Sequence, residues 1–262
     1  MALDPPSPAA FEFIARVACA YAKLIESANA GPESGLGGKL FYAGELDQEG
    51  RVLVVAANIA GAATLAATDD RAAQKQALRD GVADFFVTSL DESLRILKNQ
   101  LRKREPVSVC VALPPALVEC EMDERGVEPD LLRRDVPIAQ CHEALMLPEE
   151  EQAEFDLRKI PALVTWRVDS TLPKWLLKLD EIALQSLDSG AWPARRWLRL
   201  SPRFLGRMAQ GLHLLDTDRE FAARFIEQVR QSVERGEIAV AVEICSYFRG
   251  LRDEARFVPT KP

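Results

Sequence analysis

From Val52 to Thr68 the chain reads "VLVVAANIAGAATLAAT", without one charged side chain. Left in water, such a stretch would cost about 25 cal/mol for every Å² of apolar surface, so the rest of the fold has to wrap it. With Arg51 ahead of it, the first part, "RVLVVAAN", is rich in β-branched residues and reads as a strand. Being apolar on both faces, that strand is expected at the centre of a sheet covered on both sides. Gly61 then marks a turn of small residues, and "TLAAT" leads on into helical sequence.

The surrounding pattern alternates. "KLFYAG" reads as a strand, "DDRAAQKQALRDG" as a helix with an Asp start and a Gly81 stop, and "ADFFVTS" as a strand. Ser89 caps a helix over "LDESLRILKNQLRKR"; "PVSVCVAL" is a strand, "PPALVECEMDERG" a helix and "VEPDLL" a short final strand. Such alternation with short joins implies an α/β fold with a mostly parallel sheet flanked by helices. Ahead of it, Ala9–Ala28 has helical apolar spacing, and "NAGPESGLGG" breaks it. After it the sequence is expected to be mainly helical, including "LPKWLLKLDEIALQSL", "SPRFLGRMAQGLHLL", "DREFAARFIEQVRQSVERG" and "EIAVAVEICSYFRGL". The domain reading is 1–34 as helix and linker, 35–135 as the α/β domain, and 136–262 as the helical region.

A net charge of −7 argues against a general nucleic-acid or anionic-membrane surface. The five cysteines, Cys19, Cys110, Cys120, Cys141 and Cys245, form no CxxC pair, and His142 and His213 are the two histidines. A zinc cluster is not expected, and thiols in a reducing cytoplasm are the simplest reading. No apolar run is long enough to span a bilayer.

Three pieces, in this order, are similar to the central Rossmann-like, NAD-binding domain of the urocanase (urocanate hydratase) family. They are "GRVLVVA" with "GAATLAAT", "ALRDGVADFFVTSLDESL", and "KREPVSVCVALPPALVECEMDERGVEPDLL". The resemblance implies a Rossmann-like fold and a hydratase chemistry in which oxidised NAD acts as electrophile. It places a cofactor turn at Asn58, Gly61, Ala62 and Thr64. The family's turn reads Gly-Leu-Gly-Gly-Met-Gly-Gly-Ala-Gln, whereas Ala57–Ala63 here is nearly stripped of glycine. Glycines in such turns let backbone N–H groups approach a pyrophosphate. A second strand delivering an acid to the ribose is not evident either, which leaves Asp69, Asp70, Asp80 and Asp84 as stand-ins. The family's Asp-Gln-Thr-Ser-x-His stretch meets only Asp135 and His142 at a longer spacing, so no catalytic residue carries across. The expectation is therefore no bound cofactor, with NAD as the alternative.

Other constellations have plainer readings beside the functional ones. Cys141-His142-Glu143 could supply nucleophile and base, yet adjacent residues point in different directions. "ESGLGGKL", Glu33 to Leu40, fails the phosphate-loop pattern at both ends and reads as a linker. Arg195, Arg196, Arg199 and Arg203, beside Trp192 and Trp197, suit an acidic or phosphate ligand, a stacked single-stranded nucleic acid, or else a helix junction. Glu149–Glu151 suits a solvated helix start. Apolar faces carrying Phe221, Phe225, Ile226 and Val229, and Val240, Ile244 and Phe248, suit core or self-association, and a two-fold homodimer is expected. Two functions stay open: a urocanase-like binding or assembly module without catalysis, and an enzyme retaining a nucleotide site. A phosphosugar-binding domain, with Thr64 as its near hydroxyl, is a third.

Overall fold

The computed structural model describes residues 7–28, 30–138, 161–170, 172–248 and 251–259. The chain divides into two compact units. One is Arg16–Ala139 with Arg203–Met208; the other is Met1–Ala15, Gln140–Pro202 and Ala209–Pro262. The N-terminal helix α1 (Pro8–Ser27) has residues in each unit.

The first unit alternates as β1 (Leu40–Glu45), α2 (Gln48–Ala60), β2 (Ala63–Ala67), α3 (Arg71–Asp80) and β3 (Phe85–Val87). It continues with α4 (Leu90–Lys103), β4 (Val107–Val111), α5 (Pro115–Glu124) and β5 (Leu131–Leu132). The five strands pair in parallel in the order β3-β4-β2-β1-β5. Leu40, Tyr42, Leu65 and Val109 of one sheet face form a core with Leu97 of α4 and with Val118 and Met122 of α5. The parallel Rossmann-like sheet flanked by helices is as the sequence implied. Caps hold as expected too: Ser89 accepts from the Glu92 N–H, Asp70 caps α3, and Gly81 closes it in the left-handed region.

One element is corrected. "RVLVVAAN" is no strand but most of α2, and the central strand is "ATLAA", β2. Asp47 accepts the Gly50 N–H at 2.7 Å as the N-cap of α2. At the other end Gly61, at φ 101°, returns its N–H to Ala57 and Asn58. Val52 through Ala60 are all buried, so the helix is apolar all round because it is enclosed, not because it is a strand. The supposed cofactor turn is therefore a helix C-cap.

In the second unit β6 (Pro161–Val168), β7 (His213–Asp218), β8 (Val242–Phe248) and β9 (Leu251–Phe257) form an antiparallel sheet ordered β7-β6-β8-β9. Helices α6 (Pro173–Ser186), α7 (Trp192–Leu205) and α8 (Arg219–Glu234) supply the expected helical content of this region. Two segment readings are corrected. "EIAVAVEICSYFRGL" holds β8, and "SPRFLGRMAQGLHLL" ends in β7. Ile238, Val240, Val242 and Ile244 alternate with period two, which the helical reading overlooked. Phe221, Phe225, Val229 and Ile244 are buried within this unit, with Phe225 5.0 Å from the Trp166 ring and 5.7 Å from Phe221. Those four are core, whereas Ile226, Val240 and Phe248 are half-buried.

Cys110, Cys120 and Cys245 are free thiols, whereas Cys19 is disulfide-bonded, which corrects the reading of thiols throughout. Among the described residues no helix is long and apolar enough to cross a membrane, and no cluster could hold a metal ion.

Candidate ligand cleft

From β1 the chain crosses through α2 to β2 on one side; after β4 it returns through α5 to β5 on the other. Such a reversal of strand order opens a crevice at the carboxyl ends of the two strands that flank it. A cleft of about 950 Å³ lies there, lined by Tyr42, Gly44 and Glu45 of β1, by Glu119, Met122 and Asp123 of α5, and by Glu128, Leu132, Arg133 and Arg134. The volume lies in the range usual for small-molecule sites, roughly 300–1,000 Å³.

The turn from β1 into α2, Gly44 to Gly50, occupies the place where a dinucleotide-binding fold holds its pyrophosphate. One glycine function survives. A Cβ on Gly50 would stand 2.0 Å from the Glu45 carbonyl oxygen, so this residue lets α2 sit against the end of β1. Between Gly44 and Gly50 stand Glu45, Leu46, Asp47, Gln48 and Glu49, with none of the glycines that open a path to phosphate.

The anion position is filled from within the chain. The Asp47 carboxylate takes the Gly50 N–H, and the Arg133 guanidinium donates to Asp47 at 3.0 Å and Glu49 at 2.6 Å. Arg133 also donates to the Glu45 carbonyl at 3.2 Å. Burial opposes charge on Asp47, yet Arg133 and the Gly50 N–H outweigh it and hold its pKa below the usual carboxylate value. Burial likewise opposes charge on Arg133, but its hydrogen bonds to Asp47 and Glu49 raise its pKa. The positive end of α2 is thus already neutralised. On the cleft floor, burial and then the Glu119 charge push the Tyr42 hydroxyl up, so it stays a donor, 3.2 Å from Glu119.

The expected cofactor residues lie elsewhere. Asn58 sits in the last turn of α2, Gly61 caps it, and Ala62 and Thr64 enter β2. All four are buried at the amino end of β2, and none lines the cleft. Thr64 stands in the sheet row Phe41–Thr64–Ser108. The acid stand-ins separate clearly. Asp80 pairs with Arg51, Asp84 bonds the Ser108 N–H and hydroxyl, and Asp70 caps α3. Asp69 is exposed two residues beyond β2, so the second strand that the sequence reading missed exists and an acid does follow it. Asp135 accepts the Leu132 N–H at 2.8 Å.

Arg195 is spent on the carbonyls of Leu187 and Asp188, at 2.7 and 3.2 Å. Arg196 is half-buried and partnered; Arg199 and Arg203 are exposed, the latter 5.1 Å from the Phe204 ring. In "ESGLGGKL" the Lys39 ammonium donates to the Ala28 carbonyl, and Gly37 packs where a Cβ would meet the Arg104 carbonyl at 2.9 Å. Cys141-His142-Glu143 and Glu149–Glu151 lie outside the described residues. Sequence reasoning missed Asp47, Glu49, Arg133 and Glu119. The signal for the first two was an Asp-x-x-Gly helix start with an acid in its first turn.

A parallel sheet wound through α-helical crossovers, with a cleft at its switch point, defines the Rossmann-like class of α/β domain. Residues 17–170 match the family model described as the urocanase Rossmann-like domain. The chain belongs to the urocanase family. The NAD that this family implies would meet an acidic first βα turn here. The first βα turn offers a pyrophosphate three carboxylates, Glu45, Asp47 and Glu49, and the one guanidinium there is bound to two of them.

Proposed function

We propose that this chain is a urocanase-family protein that works without NAD, as a binding module built on the switch-point cleft and not as a hydratase. The observation that carries the reading is the Arg133–Asp47–Glu49 cluster on the first turn of α2. A phosphate brought there would face like charges at a cost of about 1–4 kcal/mol per pair at about 4 Å, depending on solvent access. It would also have to displace Asp47 from the Gly50 N–H. Titration calorimetry tests this. NAD is expected to bind with a dissociation constant above about 100 μM, weaker than roughly −5.5 kcal/mol.

A second reading, an enzyme that keeps a nucleotide site, is favoured by Asp69. Its place just past β2 is where such folds present an acid to the ribose hydroxyls. The same titration separates the two. Micromolar NAD affinity, reduced at least about tenfold by Asp69→Ala, would establish the nucleotide reading and sink the first.

A further inference from the structure

The cleft has a polarity as well as a place. Four carboxylates line it, Glu45, Glu119, Asp123 and Glu128, against two guanidiniums, Arg133 and Arg134. Arg133 is held by Asp47 and Glu49, which lie outside the lining, so its charge is already matched. The floor is different: Tyr42 and Met122 are 5% and 4% exposed and belong to the apolar core between the sheet and α5. The Tyr42 hydroxyl fixes Glu119 at the boundary between that floor and the acidic wall.

We infer that the cleft at the carboxyl ends of β1 and β5 binds a small organic cation: an apolar body on the Tyr42–Met122 floor, with an ammonium or guanidinium against Glu119 and Asp123. The inference rests on the NAD-independent reading above and names the ligand class of that site. Cavity and lining argue together. A crevice of about 950 Å³ at the switch point is the place where this class of fold takes its ligands, and the lining selects the sign of charge. The wall carboxylates are exposed, so attraction there is screened by salt and modest for any one of them. The apolar floor has to supply the rest.

The probes are phenethylamine and its charge-reversed counterpart 3-phenylpropanoate, which share an aromatic body. At low salt, calorimetry with the full chain is expected to give saturable phenethylamine binding with a dissociation constant below about 1 mM, and 3-phenylpropanoate at least about tenfold weaker. The double variant Glu119→Gln, Asp123→Asn should weaken the amine at least about fivefold, with an unchanged circular dichroism spectrum. Both substitutions keep side-chain shape, and Gln can still accept from Tyr42. Absence of saturation by the amine, equal binding of the two probes, or an unaffected double variant each overturns the inference. NAD is titrated alongside. An amine that fails while NAD stays silent sinks only this inference, whereas micromolar NAD sinks the reading beneath it.

Discussion

At the scale of single residues, the glycines of this fold divide by what surrounds them. Gly50 is needed for space: any side chain would drive a Cβ to 2.0 Å from the Glu45 carbonyl oxygen. Gly81 is needed only for its φ of +72°, with nothing within 4 Å of a Cβ. Gly50→Ala should therefore cost about 3 kcal/mol or more, because backbone must move, and Gly81→Ala about 1 kcal/mol. Urea unfolding decides, and equal costs would refute the distinction. Asp180 of α6 is a second informative residue. It is buried and accepts from the Trp166 indole N–H at 3.0 Å, with His213 Nδ1 at 2.7 Å from the same oxygen. Asp180→Ala would orphan a buried indole donor, so a loss of about 2–3 kcal/mol is expected from the same measurement.

At the scale of elements, α2 shows both what the sequence could tell and where it misled. Caps and periodicities at α3 and α4 were legible because each combined an end signal with a polar face. Enclosure on all sides removes the polar face from α2, and a short apolar run then has no period to reveal. The remaining clues were its ends, Asp47 and Gly61, thirteen helical residues apart, too far for an ordinary strand. That one reassignment moved the βα turn from Ala57–Ala63 to Gly44–Gly50, and with it the whole candidate site. Arg133 was invisible as a site residue because it lies 84 residues from Glu49 and meets it only through the pairing of β1 with β5. The first turn of α2 also sets an acid dependence. Asp47 titrates below its usual value, so its stabilisation is present above the unfolded carboxyl pKa of about 3.9 and is lost as pH falls through the folded value. In Arg133→Met the lowering by the guanidinium is lost, the Asp47 pKa would rise, and acid unfolding followed by circular dichroism should move to higher pH. An unmoved midpoint would show that the pair contributes nothing.

At the scale of the whole molecule, the question is whether the apolar helices demand a second copy of the chain. Phe225 and Ile244 are each 0% exposed inside the antiparallel unit, where α6 and α8 cover the sheet. Phe225 packs against Trp166, the largest fully buried side chain among the described residues, and stacks on Phe221. A carboxylate at either position would be buried without a partner, and charge burial of that kind is far more costly than loss of an exposed contact. Phe225→Asp and Ile244→Asp are therefore expected to abolish the native near-ultraviolet spectrum and collapse the urea transition. They should not yield a folded protein of lower mass. Light scattering with circular dichroism separates the cases. A variant with native spectra whose mass falls from a dimer to 29.1 kDa would mean that these side chains face a partner and not the core. Phe225→Leu is the graded control. It keeps the site apolar and removes part of the ring volume, so a cost of about 1–2 kcal/mol is expected, with the mass of the wild-type protein unchanged.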